Sequence, residues 1–133
     1  MVCLGRVENG HVAFNDPPAA DFPDPLPMKV VELDEACRQQ QVNYGCFATL
    51  AEVSTRALTL TISTLFSGHH LVCSVLGRLK RAAVAKTLAG PISPRCPATI
   101  LRTHPDCVPH VDLESLPDAP AEAFAGAERR GAS

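Results

Sequence analysis

The sequence predicts an α/β domain, a mostly parallel sheet with flanking helices. Three observations predict it. Short apolar runs of strand length alternate with helix-like stretches along the 133 residues, the pattern of the βα units that build parallel sheets. One run, LVCSVL, passes through Gly77 into a basic, alanine-rich helix signal, the strand–turn–helix step of Rossmann-like folds. The third is ENGHVAFNDPP, Glu8 to Pro18, which sets His11 and Asp16 directly behind the first strand. Parallel α/β sheets present acid–base groups at the carboxyl ends of their strands in this way. Such a strand is ordinarily interior to its sheet, yet here it is the first the chain makes. The expected sheet is therefore Rossmann-like but incomplete, with N-terminal βα units missing.

Residues 2–4 supply the first short strand, and 17–27, with five of the twelve prolines, read as a loop. MKVVEL (28–33) is a second strand. Asp34 is a suitable N-cap for the helix DEACRQQQ, and Glu35 adds negative charge at its positive end. ALTLTI (57–62) and LVCSVL (71–76) are β-branched and apolar at strand length. RLKRAAVAKTL (78–88) is the strongest helix, with Leu79, Ala82, Ala83 and Ala85 along its apolar side and Gly90-Pro91 ending it. A second proline-rich loop covers 90–97. Cys107–Val111 is a weaker strand, which Pro109 confines to an edge or a bulge. The domain thus covers 1–112. Residues 113–133 turn acidic, alanine- and proline-rich, and read as a disordered tail.

With 46% hydrophobic and 20% charged residues the chain is globular, and long enough to bury a core. A net charge of −2 gives no electrostatic basis for nucleic acid or an anionic membrane as partner. Aromatic residues make up 5% and tryptophan is absent, so base-stacking platforms are not expected. The apolar runs are too short to span a bilayer, and no basic-then-apolar start marks a signal peptide. A cytoplasmic protein without membrane or nucleic-acid partners is expected, with monomer and homo-oligomer both open. The six cysteines are widely scattered, form no CxxC, and in several cases lie in apolar runs. They read as structural thiols, ahead of disulfides or zinc ligands, and no metal site is expected.

His11 can shuttle a proton near neutral pH if a neighbour fixes its ring. Asp16 is the nearest carboxylate along the chain, and Asn9 and Asn15 can hydrogen-bond. The alternative is a loop histidine that merely satisfies turn carbonyls. Lys80, beside Arg78, opens the helix after Gly77, where backbone N–H groups and the positive helix end attract phosphate. Its alternative is a solvated basic face shared with Arg81 and Lys86. Arg38 and His104 read as surface or capping residues, and His69-His70 as a solvent-facing turn.

Together these segments resemble the glucosamine-6-phosphate deaminase (isomerase) family, whose signature is roughly G-x-G-x-[DN]-G-H-[IL]-A-F-N-[DE]-P. The likeness continues through VVELDEACRQQQ, ALTLTI, the G-x-x-K of Gly77 to Lys80, and GPISPRCPATILRTHP, covering about residues 3–112. The related 6-phosphogluconolactonases share a Gly-His pair but normally follow it with a different sequence. The resemblance implies ring opening of an amino-sugar phosphate, isomerisation through an enol-type intermediate, and deamination to fructose 6-phosphate and ammonia, without a cofactor. It implies that His11 moves the ring-opening proton, Asp16 orients and stabilises it, and Asn9 hydrogen-bonds it. It implies phosphate contacts for Lys80 and for Arg38.

The chain also departs from the pattern. Arg6-Val7 replaces an apolar-Gly step, Asn9 stands where many members have Asp, and Cys46 stands where a large aromatic is expected. The likeness covers only the second half of the family's domain; the phosphate loop and the base that abstracts the C2 proton belong to the first half. A deaminase-like chain of little activity on its own is the first expectation, with marginal solubility from the uncovered first strand. A non-catalytic remnant that binds sugar phosphate or a partner is the second, and a lactonase-like hydrolase the third.

Overall fold

A computed structural model of the chain describes residues 1–5 and 10–118. Arg6, Val7 and Asn9, together with residues 119–133 of the expected tail, lie outside the described residues. The elements run β1 (Val2–Gly5), β2 (Met28–Glu32), α1 (Glu35–Asn43), β3 (Arg56–Leu60), α2 (Ile62–Phe66), β4 (Leu71–Val75), α3 (Arg81–Ala89) and β5 (Cys107–Val111). Short 3₁₀ turns at Leu50–Glu52, Arg78–Lys80 and Pro97–Thr103 join them.

Strands β1, β4 and β5 form a three-stranded sheet in the order β1-β4-β5. Val2 to Gly5 pair in parallel with Leu71 to Ser74, and Leu71 to Val75 in parallel with Cys107 to Val111. The central strand β4 buries Leu71, Cys73 and Val75 on one side. Cys73 and Val75 pack with Leu4, Val12, Ile62, Leu65, Val84 and Ala98 into the main apolar cluster. Pro109 lies on the edge strand β5, where a missing N–H interrupts no ladder to a further strand.

The other two predicted strands do not join this sheet. β2 and β3 pair with each other, antiparallel, matching Met28 with Leu60 and Glu32 with Arg56. Strand alternation turns Val31 and Thr59 inward and leaves Met28, Val30, Leu58 and Leu60 exposed. The parallel sheet thus carries an antiparallel ribbon beside it, which strand length and composition alone did not distinguish. The strand expected to run to residue 62 stops at Leu60. The Thr61 side chain caps α2, accepting from the Thr64 N–H at 3.4 Å and donating to the Leu26 carbonyl at 2.7 Å.

The helix expected from residue 78 is corrected in its phase. A 3₁₀ turn over Arg78–Lys80 precedes the α-helix proper, and three residues per turn rotate its face away from α-helical spacing. Leu79 is 82% exposed, and Ala83 and Val84 are the residues α3 buries. Asp112, just past β5, accepts from the Gly77 N–H at 3.1 Å and from the Ser115 N–H at 2.8 Å. Ser115 is fully buried and donates to the Val75 carbonyl. Packed structure therefore runs on past residue 112.

In the proline-rich loop, Asp24 pairs with Lys29 at 2.6 Å, and the same ammonium donates to the Ala19 carbonyl. The Lys29 hydrogen bond, followed by the Leu26 N–H, lowers the Asp24 pKa below the usual 3.8. This stabilisation is complete above the unfolded-state value and is lost as the pH falls through the lower folded value. Thermal melts below about pH 4 should accordingly lose stability less steeply in Lys29→Met than in the parent chain. Equal acid limbs would contradict the pairing.

Candidate active site

Because β1 and β4 are parallel, the loops leaving their carboxyl ends emerge at the same edge of the sheet. The first carries His11 and Asp16, the second Lys80. Residues 10–16 are fixed from several sides. The Gly10 carbonyl accepts from the Ala98 N–H at 2.8 Å. The Phe14 N–H donates to Thr59 Oγ1, and Val12 bridges to Asn15. Asn15, 1% exposed, donates its side-chain amide to the Val12 and Leu60 carbonyls at 2.8 and 2.9 Å. That one residue closes the loop and ties it to the ribbon. Ala13 takes φ +52°, a conformation that costs an L-residue energy and persists where the surroundings impose it.

Within this loop the His11 Nδ1–H donates to the Ala13 carbonyl at 2.7 Å. A carbonyl only accepts, so the proton sits on Nδ1 and the lone pair of the neutral ring on Nε2. Nε2 is buried and has no hydrogen-bond partner among the described residues. Asp16 lies close enough for His11 to favour its charged form. Burial is nevertheless the larger influence, and with the nearby Asp34 it raises the Asp16 pKa above the ordinary 3.8. Cys37, on the first turn of α1, hydrogen-bonds Asp16, and burial with that carboxylate pushes its thiol up to about 11. Asp34 itself caps α1, accepting from the Cys37 N–H at 2.7 Å, as the sequence predicted.

Lys80 is not part of a solvated basic face. It is 4% exposed, and its ammonium donates to the Tyr44 hydroxyl at 2.8 Å, with the ring centroid 5.4 Å away. Arg38 is turned to a different task. Its guanidinium donates to the Leu50 carbonyl at 2.8 Å and the Val53 carbonyl at 3.2 Å, clamping the segment after α1 to the helix. The geometry thus brings His11 and Asp16 together and joins Lys80 to Tyr44, while Arg38 serves the backbone. α1 links the two clusters: from Cys37 to Tyr44 its axis advances about 10 Å.

The other histidines are structural or exposed. His104 donates from Nε2 to the Gly68 carbonyl, accepts the Asp106 N–H on Nδ1, and stacks edge-on with Phe66. His70 pairs with Asp106, and both His69 and His70 are exposed. All six cysteines are free. Among the described residues no group of three or more His, Cys, Asp or Glu could hold a metal ion, and no helix is long and apolar enough to cross a membrane.

Sequence reasoning missed the contributions of Tyr44 and Cys37. Tyr44 had one legible signal, its place before Gly45, three residues beyond the predicted helix. Cys37 had none, because its contact is made across the fold. Gly10 can be tested directly. Its φ is +76°, and a Cβ there would collide with Cys96 Sγ. Gly10→Ala should cost about 1–2 kcal/mol from the left-handed backbone alone. Adding Cys96→Ala should recover only the collision, leaving that backbone cost in chemical denaturation; full recovery would show that the clash was everything.

No family model matches the sequence. Glucosamine-6-phosphate deaminase of Bacillus thuringiensis is 35% identical over 113 residues, which cover 85% of this chain and 41% of that protein. The solved structure of a monomeric glucosamine-6-phosphate deaminase superposes with a TM-score of 0.77 at 35% identity, covering 85% of this chain and 45% of that one. Over 85% of its own length the chain resembles glucosamine-6-phosphate deaminases. It spans about two-fifths of the length of the curated relative, so the match to that family is partial. A Neisseria gonorrhoeae structure with a 6-phosphogluconolactonase assignment superposes with a TM-score of 0.53 at 16% identity over 82% of this chain, a likeness of fold alone.

Proposed function

We propose that this chain carries the ring-opening and phosphate-holding part of a deaminase site for an amino-sugar phosphate. The observation that carries the reading is His11 Nε2, a buried lone pair with no protein partner among the described residues, on a ring fixed by its other nitrogen. Left unpaired, such an atom costs free energy, and a sugar hydroxyl would satisfy it. Nε2 takes the proton of the anomeric hydroxyl as the carbonyl forms and the ring C–O bond breaks, and returns that same proton to the departing ring oxygen. The imidazolium formed in between is stabilised by Asp16, as a third group supports a base elsewhere. The family resemblance alone assigns a supporting role to Asn9, which lies outside the described residues. Lys80 holds the phosphoryl group at the other end of α1. Arg38 supports that end through the segment it clamps, and a direct phosphate contact would require it to leave the Leu50 and Val53 carbonyls.

We take the substrate class to be a small phosphorylated amino sugar and the setting to be the cytoplasm, a reading that calls for no membrane or nucleic-acid partner. Incubation of the purified chain with glucosamine 6-phosphate tests the division of labour. Interconversion of the sugar's anomers should accelerate, while ammonia release stays near background. Rapid ammonia release that His11→Ala abolishes would assign the whole reaction to these residues and overturn the division. A second reading is favoured by the cover that Tyr44 places over Lys80: a module that binds sugar phosphate and catalyses nothing. Saturable phosphate binding without any anomer acceleration would select it.

A further inference from the structure

The Lys80–Tyr44 contact is assembled from two elements 36 residues apart, and the chain spends several interactions on placing Tyr44. α1 ends in a Schellman motif. The Gly45 N–H bonds the Val42 carbonyl at 2.9 Å and the Cys46 N–H bonds the Gln41 carbonyl at 3.0 Å, with Gly45 at φ +75°. Tyr44 is the C-cap residue of that motif. Downstream, Arg38 clamps the Leu50 and Val53 carbonyls, and Glu52 accepts from the Ala48 and Thr49 N–H groups. Tyr44 is 42% exposed while Lys80 is 4% exposed. The tyrosine is thus the more accessible partner of the two.

From this we infer that the Tyr44 hydroxyl is a placeholder on Lys80. It accepts a hydrogen bond from the ammonium and gives up that position to a phosphoryl oxygen when a phosphate ligand binds. The physical reason lies in the exchange. A lysine buried to this degree needs acceptors at all times, and the neutral phenol oxygen is one that it has, at modest strength. A phosphoryl oxygen makes a charge-assisted bond to the same ammonium, roughly twice as strong as one between neutral groups. Phosphate binding is thereby coupled to movement of the Tyr44 side chain, and the cover over Lys80 disfavours ligands without an anionic group. The inference rests on the phosphate role proposed for Lys80 and adds the group that competes for it.

Tyr44 is the single tyrosine of a chain without tryptophan, so intrinsic fluorescence excited on the phenol reports this residue alone. Inorganic phosphate is titrated at constant ionic strength into the whole chain, with calorimetry for binding and tyrosine emission for the contact. Wild type should bind saturably, with emission changing over the same concentration range. Lys80→Met should lose binding at least tenfold, with circular dichroism confirming its fold; Lys80→Arg, which keeps the charge, should retain part of it. Tyr44→Phe should bind phosphate about threefold or more tightly, because no hydroxyl has to be displaced. Lys80-dependent binding with constant emission, or weaker binding by Tyr44→Phe, would overturn the placeholder and leave the phosphate role standing. Absence of binding in wild type, or binding indifferent to Lys80→Met, would overturn both.

Discussion

Asn15→Ala is expected to destabilise the protein by about 2 kcal/mol, since each intramolecular hydrogen bond lost costs about 0.5–1.5 kcal/mol. Two are at stake, from the side-chain amide to the carbonyls of Val12 and Leu60, which keep the Asn15 N–H and the Thr59 hydroxyl as their remaining donors. For a chain of this size the loss corresponds to a fall in melting temperature of roughly 7 °C. The effect is large because Asn15 joins two layers. Val12 belongs to the main apolar cluster, whereas Leu60 ends the β2–β3 ribbon. Asn15→Asp should be worse still, because a carboxylate in that position points acceptors at acceptors. If Asn15→Asp melted with the parent chain, the carbonyl pairing described here would be wrong. The catalytic consequence follows from the same geometry: a loosened loop no longer holds the His11 ring against the Ala13 carbonyl.

Much of this was legible in advance, for identifiable reasons. The β4–Gly77–α3 step could be read because β-branched residues end abruptly at a glycine, which takes φ +95°. Asp34 could be read as a cap because a carboxylate before a helical run has one dominant use. The signature around His11 marked the loop that the fold places behind β1. What could not be read depends on contacts remote in sequence. Strand-like residues at β2 and β3 fit a pleated surface equally well in either sheet, so only tertiary pairing separates the ribbon from the parallel sheet. α2 was hidden because its five residues, Ile62–Phe66, continue an apolar run that reads as strand. Lys80 looked like one of four basic residues on a wet helix until Tyr44, from another element, was seen to cover it. Arg38 gave no sign that two carbonyls past the helix would claim its guanidinium.

The Cys37 contact shows the same limit at the level of charge. Sequence alone gives Asp16 a histidine five residues away and nothing of its burial. Burial and the neighbouring Asp34 hold its pKa above the ordinary range. Proton affinity at Asp16 is therefore set by how deeply the loop packs, which only the fold reveals.

The central claim is that His11 opens the ring of a phosphorylated amino sugar through its free nitrogen. The most direct measurement is NMR exchange spectroscopy on glucosamine 6-phosphate, following interconversion of its α and β anomers, which passes through the open chain. The parent protein should accelerate that exchange over buffer. His11→Ala should reduce the acceleration by about 10²–10⁴-fold, the range supplied by a positioned acid–base group, while its melting temperature stays near the parent's. An exchange rate equal to buffer with the parent chain, or undiminished in a folded His11→Ala, would contradict the claim.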